Sequence, residues 1–140
     1  MAMVIRYYTA PDVKQLVDAI VKGLELTYID PTYVYCFRSK GSKSRRVVAR
    51  IHSLGRLWQL ALSTDAQYLI EVISERFDKL ANADKEKILI HELLHIPKGF
   101  SGGFRPHKGY ISNKKIIRLH KVYRQRRTSR NVHPILKGVT

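Results

Sequence analysis

Apolar residues recur along this chain with two periods, and the switches between them mark out its elements. After Thr9-Ala10-Pro11, the residues Val13, Leu16, Val17, Ile20 and Leu24 fall at helical spacing, which predicts an amphipathic helix over 11–26 with proline in its first turn. Asp30-Pro31 breaks that pattern. From 32 to 38, Tyr33, Tyr35 and Phe37 alternate with Val34 and Cys36, as in a strand. Residues 39–46 are small, polar and cationic and read as an exposed hairpin loop, with a partner strand over 47–51. Leu54, Leu57, Trp58 and Ala61 share one face of a short helix ending at 62, and the apolar, β-branched run 67–74 predicts a third strand. A turn-like stretch, 75–84, leads to a helix that Asn82 or Asp84 can cap and that Pro97 and Gly99 close after about Ile96. Residues 98–109 form a loop. The last helix is expected over 113–127, with Ile116, Leu119, His120 and Tyr123 along one side, and 129–140 as an irregular basic tail.

These elements fit one α+β domain over residues 1–128, in which a small three-stranded sheet (32–38, 47–51, 67–74) packs on helices 11–26 and 84–96 while helix 113–127 closes a cleft. A chain of 140 residues, 44% hydrophobic, buries one ordinary core rather than two. No apolar run is long enough to cross a bilayer, and Met1-Ala-Met-Val-Ile-Arg-Tyr-Tyr8 lacks the apolar stretch of a secretory signal, so a soluble, cytoplasmic protein is expected. The one cysteine, Cys36, excludes an internal disulfide framework and a Cys-rich zinc module. Any metal must therefore rest on histidine and carboxylate.

Charge adds a second theme. The chain carries +15, and residues 93–140 hold six Lys and six Arg with no acidic residue. Such a skew suits a polyanionic partner, nucleic acid first, through the region Arg105 to Arg130, and an acidic membrane surface second.

The chemistry centres on His91-Glu-Leu-Leu-His95. Two histidines four apart on a helix project from one face and can reach a single ion at about 2.0–2.1 Å, the distance at which zinc binds imidazole. Glu92, beside that face, is placed to take a proton from metal-activated water and pass it to the leaving amine. Leu89, Ile90, Leu93 and Leu94 can bury the other faces and hold the ligands still. Catalytic zinc uses three protein ligands and keeps a fourth position for water. His107 is the expected third ligand, because Gly99, Gly102 and Gly103 let the chain reverse and Pro106 stiffens its return. His120 is the runner-up, with a core or supporting role favoured, and Glu71 and Glu75 are the carboxylate alternatives. His52 and His133 read as structural or surface residues. Arg105, Tyr110 and Tyr123 are weaker candidates for stabilising an oxyanion. Strand 67–74 is expected to form the rim along which an extended peptide pairs its backbone.

The stretch from His91 to His107, with its His-Glu-x-x-His-Ile-Pro core and later Arg-Pro-His, resembles the metallopeptidases of archaea and phages. Trp58, Tyr68-Leu-Ile-Glu-Val-Ile73 and Phe77-Asp-Lys-Leu80 look like that family's lead-in to the site, so the likeness covers most of 28–120. The resemblance implies a minimal zincin fold, a Zn2+ held by His91, His95 and His107, Glu92 as catalytic acid and base, and a polypeptide substrate. A looser similarity exists to the SprT-like proteases, which cut proteins linked to DNA. The spacing from His95 to His107 and the lack of Cys-based zinc modules depart from several of their members. The rival expectation is a nucleic-acid-associated protein with a structural metal, which would close the site with a fourth ligand and cleave nothing.

Overall fold

A computed structural model describes residues 4–139, with side chains through Ser129. It is an α+β domain whose sheet has four strands: β1 (Arg6–Thr9), β2 (Val34–Lys40), β3 (Ala49–Ser53) and β4 (Tyr68–Ile73), in the order β1-β2-β4-β3. The fourth strand corrects the expectation of three. β1 pairs antiparallel with β2, placing Tyr7 opposite Ser39, yet all four of its residues are exposed, so no burial rhythm marks it in the sequence. The expected hairpin is also overturned, because β2 and β3 do not pair. β4 lies between them, parallel to β2 and antiparallel to β3. Its near-continuous apolar sequence accords with this position, since five of its six residues are buried between the neighbouring strands. β3, with its alternating exposure, lies at the edge.

The helices are α1 (Pro11–Gly23), α2 (Arg56–Leu62), α3 (Ser74–Phe77), α4 (Asn82–Leu94) and α5 (Asn113–Val139), besides a single 3-10 turn at Pro31–Tyr33. α1 buries Val13, Val17, Ile20 and Val21 as its periodicity requires. It stops short of residue 26: Gly23 packs so tightly on Tyr123 that a Cβ there would lie 2.9 Å from the ring, and Glu25 turns into the left-handed region at φ 54°. α3 replaces part of the expected turn. α4 begins without a side-chain cap, and Asp84 lies in its first turn, where the helix dipole favours negative charge. α5 continues past 127 to Val139; the side chains of the expected tail beyond Ser129, His133 among them, lie outside the described residues.

One face of the sheet, through Val34, Cys36, Tyr68, Ile70 and Val72, joins α1, α4 and α5 in a single apolar core. α2 departs from expectation. Its supposed core residues Leu57 and Trp58 are 80% and 63% exposed, and the polar Gln59 is buried instead, donating to the carbonyls of Leu54 and Ser101.

α4 is fixed twice, by apolar packing and by a buried ionic knot. Leu89, Ile90, Leu93 and Leu94 are all buried. Glu86, 2% exposed, accepts from His120 at 2.8 Å, from Arg124 at 2.7 Å and from Arg127 at 3.3 Å, all on α5. This also places His120 as a partner of Glu86. Replacing Glu86 with Ala should lower stability to urea by about 2 kcal/mol, less than for a fully buried pair because both arginines can rehydrate. Urea titration of the two proteins measures that difference directly.

Candidate metal centre

α4 carries His91 near its end, and His95 immediately follows its last residue, Leu94. Helical spacing sets both rings toward the same side, with centroids 5.3 Å apart. Pro97 has no N–H to continue the helix, and the chain leaves toward the start of β4. There Tyr68 anchors it. The amide of Gly102 donates to the Tyr68 hydroxyl, which donates to the carbonyl of Gly103, each at 2.9 Å, while Phe100 and Phe104 lean on the Tyr68 ring. Gly102 has φ 101°, and a Cβ would stand 2.8 Å from the Leu54 carbonyl, so this turn requires glycine.

The loop then returns to the helix. Arg105 N–H donates to the His95 carbonyl at 2.7 Å, and His95 Nδ1 lies 2.8 Å from the Arg105 carbonyl oxygen. A carbonyl only accepts, so Nδ1 carries the hydrogen and Nε2 keeps its lone pair for a ligand. Two residues later His107 arrives, its Nε2 3.1 Å from that of His91 and its ring 4.7 Å from that of His95. One nitrogen from each of the three rings falls within 4.8 Å of the others, a grouping that could hold a metal ion. Ligands about 2.0–2.1 Å from a tetrahedral ion stand roughly 3.3 Å apart, so the His91–His107 separation suits a shared cation. Burial, then the neighbouring histidines, hold the His91 pKa below its usual value, which favours the neutral ring that a metal needs.

The three rings open into a cleft of about 570 Å³ that is also lined by Glu92, Ala49, Arg50, Ile51 and Phe104. Glu92 is 8% exposed, and burial pushes its carboxyl up to about 7. A carboxyl in that range is suited to exchanging protons near neutrality. The cleft meets β3, so the strand beside the histidines is the edge strand. Expectation had placed the rim at 67–74, but β4 has hydrogen-bonding partners on both sides and no free edge. The distinction is legible in the sequence: the near-continuous apolar run belongs inside a sheet, the alternating one at its border.

The alternative residues lie elsewhere. Glu71, on β4, accepts from Ser39 at 2.7 Å and pairs with His52 at 2.8 Å, and Glu75 accepts from the Gly41 amide. Tyr123 is buried against α1 rather than facing the cleft. Arg105 does line the cleft, with its guanidinium 5.1 Å from the Tyr110 ring centre and 5.8 Å from that of Tyr28. Burial raises the Cys36 thiol to about 12, leaving it protonated at neutral pH. Among the described residues no helix is long and apolar enough to cross a membrane.

Comparison with curated proteins and with solved structures finds no match. Residues 5–131, spanning every strand, the helix of His91 with His95 at its end and the loop of His107, match the family described as putative phage metallopeptidase, and the chain belongs to that family.

Proposed function

We propose that this protein is a zinc-dependent peptidase in which His91, His95 and His107 hold the metal and Glu92 is the general acid and base. The observation that carries this reading is the convergence of three imidazole nitrogens within 4.8 Å beside a buried carboxyl, in a cleft bordered by a sheet edge. Bound there, the ion supplies a Lewis acid that polarises the scissile carbonyl and acidifies water. Three nitrogen donors match catalytic zinc, which leaves one position free of protein.

The chain's own residues divide the remaining work. The free edge of β3 offers its backbone N–H and C=O groups to an extended polypeptide, which would add as a further strand and present its peptide bond to the cleft. Glu92 takes a proton from the attacking water and, as the C–N bond breaks, delivers it to the leaving nitrogen. Arg105, held by its aromatic neighbours at the cleft wall, is placed to stabilise negative charge on the carbonyl oxygen. The Arg105 carbonyl orients His95. A cytoplasmic site of action accords with the single reduced cysteine.

Cleavage of an unfolded protein substrate tests the reading. Activity should disappear in a chelator and return on adding one equivalent of zinc, as followed by fragment mass. Activity that survives complete metal removal would exclude the mechanism.

A further inference from the structure

The sheet has a second face that the catalytic reading leaves unused. Residues of one parity on β2, β3 and β4 enter the core, and those of the other parity do not. Across this outer face the register sets two rows, Thr9–Phe37–Glu71–Arg50 and Tyr35–Leu69–His52, with Tyr7 beside Ser39 and Ile73 at the end. Tyr7 is 61% and Tyr35 44% exposed, Phe37 is half-buried, and none of the three rings belongs to the apolar core.

The three rings are regularly placed. Tyr35 and Phe37 are two residues apart on one strand, roughly 7 Å, and Tyr7 lies diagonally across from Phe37 at a similar distance. Cations border them. Arg50 and His52 are exposed on β3, and Lys43, Arg45 and Arg46 are exposed in the loop that crosses the end of β4 between β2 and β3. The face's carboxylate, Glu71, is already engaged by Ser39 and His52, with Arg50 3.7 Å away, and Glu75 at the loop is held by the Gly41 amide.

Exposed aromatic rings at strand spacing, fringed by cations and without a free acid, are complementary to unpaired bases joined by phosphates. In a duplex the base faces are hidden, so rings of this kind can stack only on a single strand. A second copy of the chain is disfavoured as occupant, because it would bring the same cations against these and add another +15. We propose that this outer face of the sheet binds single-stranded nucleic acid, with Tyr7, Tyr35 and Phe37 stacking on bases and Arg50 with the 43–46 loop contacting phosphates. The three rings lie outside the metal cleft, which this face meets only at Arg50, and the face differs in place from the expected basic region Arg105 to Arg130.

The test uses fluorescein-labelled ten-nucleotide oligo(dT) and oligo(U), followed by anisotropy at several salt concentrations. Binding of either supports the proposal, and the tighter arm identifies DNA or RNA as the source. The double substitution Tyr7→Ala and Tyr35→Ala should weaken binding at least tenfold, while Tyr7→Phe with Tyr35→Phe should stay within about threefold, since stacking survives on phenyl rings. Replacing Lys43, Arg45 and Arg46 by Ser should make the slope of log affinity against log salt shallower by about two. Thermal melts verify that each variant is folded. The proposal is overturned if neither oligonucleotide binds at low salt or if the alanine pair binds like the parent. It is overturned equally if binding is lost only on changing Lys114, Arg118 and Lys121 of α5 to Gln. Sedimentation showing a dimer that the alanine pair dissociates, without oligonucleotide binding, would reassign the face to self-association.

Discussion

Changing Glu92 to Gln is expected to reduce peptide hydrolysis by roughly 10³-fold while leaving the metal content as it was. The substitution keeps the size of the side chain and removes only its capacity to take up a proton, and general acid–base groups contribute about 10²–10⁴-fold. The substitution is clean, because among the described residues burial alone, and no hydrogen bond, shifts the Glu92 carboxyl. Turnover of a fluorogenic peptide, measured beside metal content per chain, reads both halves of the expectation. A variant that retains full activity would remove Glu92 from the reaction. A variant that loses its metal would turn Glu92 into a ligand.

The second large effect is expected at His107. Replacement by Ala should weaken metal binding by more than about 100-fold, since even residues that merely support a ligand are worth about 10–100-fold. Competition with a chromophoric chelator gives the affinity. The protein should remain folded, because His107 is exposed while the loop is held by Tyr68, Gly102 and the reciprocal Arg105–His95 bonds. Unchanged affinity would mean that His91 and His95 bind metal without this third ring. The comparison with Glu92→Gln is informative: one change should silence a loaded site, the other should empty it.

The difference between what was legible in the sequence and what was not follows from which forces act locally. Helices α1 and α4 were readable because their apolar stripes repeat at helical spacing, and the convergence of His91 and His95 follows from that geometry alone. His107 was readable for another reason, since glycines and a proline announced a reversal that had to lead back toward the helix. Strand pairing is non-local, so it was harder to reach. Proximity along the chain suggested joining 32–38 to 47–51, whereas β4, with five of its six residues buried, lies between them. β1 leaves no apolar rhythm in the sequence because it gains hydrogen bonds to β2 without burying a face.

Side chains of mixed character give one departure from expectation, in α2, and one agreement, at His120, for which a core or supporting role was favoured. α2 looks amphipathic, yet its buried residue is Gln59, which satisfies the carbonyls of Leu54 and Ser101 where an apolar residue could not. His120 on the apolar side of α5 is similarly explained only by its partner, Glu86, on a helix 34 positions away in sequence. Charge balance along the sequence hinted at neither. The cation-rich C-terminal third devotes Arg124 and Arg127 partly to that internal carboxylate, so its net charge overstates what is free to meet a polyanion.

The central claim is that three imidazoles share one cation and leave a coordination position open. X-ray absorption on the purified protein loaded with zinc, combined with elemental analysis, addresses it most directly. The expected result is one zinc per chain, three nitrogen neighbours of imidazole type at about 2.0–2.1 Å and a further light-atom neighbour that exchanges with added azide or hydroxamate. No stoichiometric zinc, or a closed shell of four protein donors that exchanges with nothing, would contradict the account.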